Sequence, residues 1–427
     1  MSANPNVMTF KTVFSAEYQM SHFKEPVYQI LADTRLEAGL TKGQTVSRSY
    51  ASDVQVNDMG ADGSYSVQAI VDQAETLTVN KEKEASIYVK DLDLLQAHLP
   101  VKQKYGRKLA NALISQIDGD VLLAAYQGAG TTLTDGDFGG TSGNGLTVTA
   151  DNIATVFVTA MQKLRLKNVI YNNRFRGGMT LEVPEGMPIA IISPEMLSYI
   201  ELYLGGKDTL LGDQVSRNGY SGYFMGFNLF VSNSLPWTAT LELPTIPTDT
   251  DTLVINGVTL TADADGAAVG AGHYSIQAAV DDAAASLVAL INGTGTAGVD
   301  NYIDVSAADR RLLKNITASY DTGTNLLTLV SSGWGTVVVS ETFTAAGNVF
   351  TTGKQQIHPI FALSKSVSLV VQKTPSLTER PSPQARIGND YIAWTVYGTK
   401  VFVDQAPQIV ALSVNSATFT ASSTTAK

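Results

Sequence analysis

The sequence contains no cysteine. Disulfide scaffolds, thiolate metal sites and a cysteine nucleophile are therefore excluded. Histidine is scarce too: His22, His98, His273 and His358 are the four. None stands at the i, i+4 spacing that puts a metal-binding pair on one helix face, so they read as surface or packing residues. No apolar run approaches the roughly 18 to 20 residues that a membrane helix needs. The opening MSANPNVMTFKTVF has no basic segment followed by an apolar core. No secretory signal is expected from it, and synthesis inside the cell is the simplest expectation. Bases are outnumbered, 29 against 39 acids, for a formal charge of −10. That balance argues against a dedicated nucleic-acid binder, which carries a basic stripe.

Motifs of catalysis are missing as well. There is no Gly-x-Ser-x-Gly elbow. Gly353-Lys354 lacks the rest of a phosphate loop, and Gly270-Ala-Gly272 lacks a third glycine and a preceding strand. Asp263-Ala-Asp265-Gly266 opens like a calcium loop, but its twelfth position is Tyr274, where a bidentate Glu is needed. Asp249 and Asp251 read as turn formers. Lys102, Lys104, Arg107 and Lys108 are the best polyanion candidates, yet they fit the solvated face of a helix. Asn292-Gly-Thr294 and Asn315-Ile-Thr317 match a glycosylation pattern that carries no weight without a secretory signal. No catalytic, cofactor or metal residue is nominated, and the chain does not read as an enzyme.

What is present is a soluble globular composition: 427 residues, 44% hydrophobic and 16% charged, enough for two or three domains. Residues 1–43 read as an arm with some helix around Val27, Ile30 and Leu31. Residues 44–80 alternate. Val46, Tyr50, Val54 and Val56 precede the turn MGADG (59–63), and Tyr65, Val67, Ala69 and Val71 follow it. This predicts a long β-hairpin, with arms reaching about 40 Å. A lone two-stranded ribbon is marginal in water, so it is expected to lie on something else; an ordinary hairpin within its own sheet is the plainer alternative. Strands are expected at TLTVN (76–80) and ASIYVK (85–90), with Asp91 as a helix N-cap. The strongest helical signal runs from Val101 to Gln127. Tyr105, Leu109, Leu113, Ile117 and Val121 recur every four residues between Pro100 and Gly128.

Asp151 is expected to cap a second helix that runs to Arg165, and Arg174, Arg176 and Gly177-Gly178 mark a loop. MPIAIISPEMLSYIELYL (187–204) reads as strand, Ser-Pro, helix. GFNLFVSNSLPW (226–237) is a strand ending in a turn. There the composition changes. Between Thr238 and Thr352, twelve acids face three bases, a balance of −9 that holds nearly all of the net charge. Short strands are expected at TLVINGVTLTA (252–262), NYIDVS (301–306), NLLTLVSS (325–332) and GTVVVSETF (335–343). One helix, SIQAAVDDAAASLVALING (275–293), ends at Asn292-Gly293. The segment could be an independent α+β module. Beyond it come ALSKSVSLVVQ (362–372), then YIAWTVYGTKVFVDQAPQIVALSV (391–414), read as two strands joined around Gly398, and a Ser/Thr tail.

This order of parts resembles the major capsid proteins of tailed bacteriophages, the Hong Kong 97-like fold. The hairpin resembles that family's extended loop. VKQKYGRKLANALISQIDGDVLLAA (101–125), with an acid near its end at Asp118 or Asp120, resembles the spine helix. IAIISPEML and GFNLFVSNSLP resemble the axial domain, and YGTKVFVDQAPQIVAL the closing strands. The resemblance implies an α+β fold with an N-terminal arm (1–43), an extended hairpin loop (44–75) and a peripheral domain with the spine helix (76–150, completed by 376–405). An axial domain (151–236, completed by 356–375 and 406–414), a β-rich inserted surface domain (237–355) and a tail (415–427) complete it. Loops at strand ends tolerate such insertions because closure entropy grows slowly with length, and the insertion's excess acid favours the shell exterior.

The same resemblance implies a structural role. Subunits would self-assemble as hexamers and pentamers into an icosahedral shell, confining a phage's double-stranded DNA without sequence recognition, with no cofactor and no membrane. The location would be the virion capsid, assembled in the host cytoplasm. A hairpin laid over a neighbour makes Arg48, Tyr50, Asp58, Met59, Asp62 and Tyr65 candidate subunit-interface residues. A portal and a decoration protein are further candidate partners. The arm begins almost at Met1, so a separate scaffolding protein is expected. Some members join a hairpin lysine to a neighbour's asparagine. Residues 43–80 contain no lysine, with Lys42 and Lys81 flanking them, so no such crosslink is expected. Two other readings stand beside this one: an encapsulin-like compartment shell, and a tail-associated binding protein that recognises its target through the acidic segment.

Overall fold

The computed structural model describes residues 26–39, 43–51, 54, 56–69, 72–90, 101–167, 169, 187–207, 222–264, 268–276, 279–295, 297–298, 301–333, 337–351, 353–382 and 387–416. Among them are six α-helices and five sheets, a mixed α+β architecture. Asp91, Pro100, Arg174, Arg176, Asp265 and most of the expected arm and tail lie outside the described residues.

The described chain starts with a one-turn helix, α1 (Tyr28–Leu31), and a short strand, β1 (Ala32–Asp33). The expected hairpin follows. β2 (Thr45–Ala51) and β3 (Asp72–Thr78) pair antiparallel, Thr45 opposite Thr78 and Ala51 opposite Asp72. The same register carried outward sets Asn57 against Ser66, whose side chains hydrogen-bond at 3.0 Å. The ribbon turns where MGADG places it: Gly63 N–H donates to Gly60 O (2.8 Å) and Gly60 N–H to Ser64 O (2.9 Å). TLTVN is not a strand of its own. It is the end of β3 and the residues just past it, because Leu77 and Val79 remain buried, against Val370 and Phe402.

β4 (Lys81–Lys90) leads to the 27-residue helix α2 (Val101–Gln127), about 40 Å long and bounded as its periodicity predicts. Leu109, Leu113, Ile117 and Val121 of its stripe are buried; the Tyr105 side chain lies outside the described residues. After β5 (Thr131–Leu133), α3 (Ile153–Leu166) buries Ile153, Val156, Phe157, Ala160, Met161 and Leu164. Asp151 does not cap α3. Asn152 holds the N-cap position, and its carboxamide oxygen accepts from Thr149 N–H (2.9 Å) instead of a helical amide. β6 (Pro188–Ile192) passes to α4 (Pro194–Gly205) through Ser193, whose hydroxyl accepts from Met196 N–H at 3.2 Å. This is a side-chain cap with Pro at the first helical position. β7 (Tyr223–Phe224) and β8 (Phe227–Val231) complete this part. Phe157 of α3 meets Phe224, Phe227 and Phe361 edge to face, with ring centroids 5.0, 5.9 and 5.0 Å away.

The acidic segment then builds two sheets. β9 (Trp237–Glu242) comes first. TLVINGVTLTA is a hairpin rather than one strand: β10 (Thr252–Ile255) and β11 (Val258–Asp263) turn at Asn256 (φ 52°) and Gly257 (φ 81°). Both central residues are left-handed, the geometry of the tight two-residue hairpin loop. The expected 275–293 helix splits into β12 (His273–Ser275) and α5 (Val280–Asn292), which stops at left-handed Gly293. NYIDVS is not a strand; Tyr302 makes only isolated bridges to Tyr274 and Gly298. A helix the periodicity did not reveal, α6 (Ala307–Leu313), is capped by Ser306. Its Arg310 donates to the Leu290 and Ile291 carbonyls (2.8 and 2.9 Å) at the end of α5, where a cation is favoured. β13 (Ile316–Asp321), β14 (Leu326–Ser331), β15 (Val339–Glu341) and β16 (Val349–Phe350) finish the segment.

The chain returns through β17 (Gln356–Ile357), β18 (Ile360–Leu363), β19 (Val367–Pro381), β20 (Gly388–Lys400), β21 (Ile409–Leu412) and β22 (Val414–Asn415). One sheet runs β1-β19-β20-β4 and packs its inner face on α2 through Ala85, Ile87, Val89, Leu377, Tyr391 and Ala393. Another runs β5-β21-β18-β6-β8-β7. Within the acidic segment the order is β12-β11-β10-β15, and a further sheet, β13-β14-β9-β17-β22, joins that segment to the rest. Its ingoing and outgoing strands lie side by side, Trp237 opposite Ile357. A single apolar core runs from Phe157 and Val410 through Trp237 to Leu260 and Leu287.

Gly398 is not a break. β20 runs straight through it, and a Cβ there would collide with the Thr78 carbonyl oxygen. Its glycine lets the hairpin root lie against β20.

Candidate assembly surface

The hairpin is fastened at its root and bare at its tip. Arg48 of β2 makes the fastening. Its guanidinium donates to Asp404 Oδ2 (3.0 Å) and to Glu75 Oε2 (3.2 Å), forms a second short contact with Asp404 Oδ1, and lies 4.2 Å from the Phe402 ring centroid. The Asp404 hydrogen bond, set against partial burial, raises the pKa of Arg48 above its ordinary value. Lys400 Nζ donates to Thr76 O (2.8 Å), and Val403 N–H to Glu75 Oε1 (3.2 Å). Beneath these polar ties Leu77, Val79, Val370 and Phe402 form a small core with Val46 and Val396 packed on it.

Beyond the root the large apolar side chains among the described residues find no cover. Val54 is 73% exposed, Val56 98%, Met59 70%, Tyr65 78% and Val67 84%. Isolated exposed apolar residues are ordinary; a row of five along one ribbon is a larger exposed apolar surface than that. At the turn Asp62 accepts from Ser64 N–H (3.1 Å) and Oγ–H (2.6 Å), and the hydroxyl bond leads in lowering its pKa.

Of the residues the sequence nominated, Asp58, Met59, Asp62 and Tyr65 come together at this exposed tip. Tyr50 sits half-buried in β2 opposite Gln73. Arg48 is apart from them and turned toward its own chain. Sequence reasoning left out Val54, Val56 and Val67, although their alternation was the available signal. It also missed Glu75, Phe402 and Asp404; no local pattern links positions 356 residues apart.

The two acids of α2 have separate tasks. Asp118, buried, accepts from Val27 N–H (2.9 Å) and Tyr28 N–H (2.8 Å) through one carboxylate oxygen. It thereby serves amides at the start of α1 that have no helical partner and ties the arm to the long helix. Asp120 accepts from Tyr397 O–H (2.7 Å) and lies 3.4 Å from Lys81 Nζ, joining α2 to β20 and β4. Burial, with the Asp120 charge behind it, pushes the Tyr397 phenol far up. Arg107 and Lys108 are exposed on α2; the Lys102 and Lys104 side chains lie outside the described residues.

No group of three or more His, Asp and Glu able to hold a metal occurs among the described residues. Asp263 takes Val269 N–H (2.7 Å) and sits 2.9 Å from His273 Nδ1, while Asp249 and Asp251 accept backbone N–H groups in turns. No helix among the described residues is long and apolar enough to cross a membrane.

No protein-family model matches the sequence, and no curated protein does. Solved structures do match in shape. A chain of Mycobacterium phage Che8 superposes with a TM-score of 0.54 at 15% identity, over 96% of this chain and 98% of that one. Lower similarities are to the capsid structure of cyanophage P-SCSP1u (TM-score 0.48, 12% identity, 95% and 93% covered) and to the mature capsid of bacteriophage PhiM1 (0.49, 9%, 94% and 91%). The α+β arrangement expected from the order of elements is thus present along nearly the whole chain: this protein shares its fold with the Mycobacterium phage Che8 chain.

Proposed function

We propose that this chain is the major capsid protein of a tailed phage. Copies assemble into rings and then an icosahedral shell that confines double-stranded DNA. The exposed apolar row from Val54 to Val67 carries this reading. Arg48, Glu75 and Asp404 fix the ribbon's root, so its distal half is presented to a neighbouring subunit, with Met59 and Tyr65 as apolar anchors and Asp58 and Asp62 at the rim. Each such contact is heterologous, and heterologous contacts close into rings when the rotation allows. Many modest interfaces then make a strong particle. The role is mechanical, with no catalytic step.

In this reading α2 and the β1-β19-β20-β4 sheet form the peripheral part of the subunit and the β5-to-β7 sheet the axial part. Residues 237–355 stand on the outer surface, where their acid keeps particles apart. A near-neutral inner wall suits confinement, since tight phosphate binding would hinder packing and release of DNA. Portal, scaffolding and decoration proteins are the candidate partners.

Negative-stain microscopy of the expressed protein tests the reading. Closed particles of uniform diameter are expected, with or without an added scaffolding protein; a chain that stays monomeric at high concentration even with the scaffolding protein present contradicts it. On denaturing gels the same particles should give one band at the subunit mass, because the hairpin carries no lysine for an isopeptide bond. A ladder of covalent multimers would overturn that part.

A further inference from the structure

His358 lies where the acidic segment meets the rest of the chain. It immediately follows β17, the outgoing strand, and its backbone N–H donates to Pro236 O (2.9 Å), just before the ingoing strand. The side chain is fully buried. Its ring stacks on Tyr126 of α2 with centroids 3.7 Å apart. Nε2 lies 2.8 Å from Thr238 Oγ1 on β9, and Nδ1 lies 3.3 Å from Ser413 Oγ between β21 and β22. One imidazole therefore touches the long helix, the ingoing strand and the closing strands at once.

Among the described residues no counter-charge faces it. From α2 it meets the Tyr126 phenol, which burial holds in its neutral form. The acids of that helix end turn elsewhere, Asp118 to the arm and Asp120 to Tyr397. On β9, Glu242 accepts from Thr351 Oγ–H. β17, β21 and β22 contribute no titratable side chain. Lys354, two residues before β17, donates to Gly143 O. A protonated ring in this place would be a buried charge without a partner, which is costly.

We infer that the junction between residues 238–352 and the rest of the chain is an acid-sensitive latch whose sensing group is His358. Burial lowers the ring's pKa from 6.5 to about 3, against a Leu412 backbone hydrogen bond that favours the proton. The closed junction thus stays unprotonated at mildly acid pH, while the opened junction takes up a proton below 6.5. The open state then binds more protons, so acid favours opening and stability is regained as pH rises. From pH 7 to pH 5 the opening equilibrium should rise about 25-fold on this account.

Hydrogen exchange at the His358 and Leu412 amides of the full chain, corrected for intrinsic rates, reads that equilibrium. The expected result is a rise of about 25-fold in the natural protein that is absent in His358→Gln. No rise, or an equal rise in both proteins, overturns the inference. Should the variant fail to fold, ring-carbon titration of the histidine-labelled natural protein serves instead. One of the four imidazoles staying neutral at pH 5 supports the latch; all four titrating near 6.5 contradicts it.

Discussion

Removing residues 54–69 and closing β2 onto β3 with a tight turn should leave a folded subunit that no longer forms particles. The deleted stretch contributes exposed side chains: Val56, Tyr65 and Val67 are at least 78% exposed. The root that remains keeps its own core of Leu77, Val79, Val370 and Phe402 and its ion pairs through Arg48. Stability of the isolated subunit should therefore change by less than about 0.5 kcal/mol, the range of surface substitutions. Assembly should fail outright, because a standard interface buries about 1,600 Å² and the ribbon carries five of the exposed large apolar side chains among the described residues. Circular dichroism on the subunit and sedimentation of the assembly mixture check both halves. Intact particles from the deleted chain would contradict it.

The second large effect concerns Trp237. The acidic segment has the size and composition of a module, and its ingoing and outgoing strands lie together. Yet its buried apolar residues are continuous with those of the rest of the chain. Trp237 is 1% exposed and sits in the apolar cluster that also holds Phe157, Phe361 and Leu287, and its indole N–H donates to Ser416 Oγ at 3.3 Å. Trp237→Ala should cost about 3–5 kcal/mol, as large cavities in cores do. Calorimetry should show one cooperative transition that moves as a whole. Two transitions, of which only one shifts, would mean that the segment folds independently.

Much of this was legible in the sequence wherever a local pattern decides the structure. The four-residue repeat from Leu109 to Val121 bounded α2, Ser193-Pro194 marked the start of α4, and MGADG marked the hairpin turn. The failures share a cause. Gly398 looks like a turn glycine; it is a strand glycine because Thr78 crosses it, and nothing nearby in sequence says so. Asn256-Gly257 is a hairpin signal that a run of flanking apolar residues obscured. α6 is only seven residues long, too short for a periodicity to stand out. The surface follows the same rule. The alternation named the ribbon, but whether its apolar row had cover depended on the folded chain. Arg48, nominated with the tip residues, pairs with Asp404 and Glu75 of its own chain, a link no local pattern could show.

The absence of cysteine allows a direct measurement of the central claim. Val56→Cys places one thiol at the most exposed apolar position among the described residues of the ribbon, and its rate of maleimide labelling can be compared before and after assembly. Rapid labelling of the free subunit and strong protection in the particle are expected; equal labelling in both would contradict the ribbon's place between subunits.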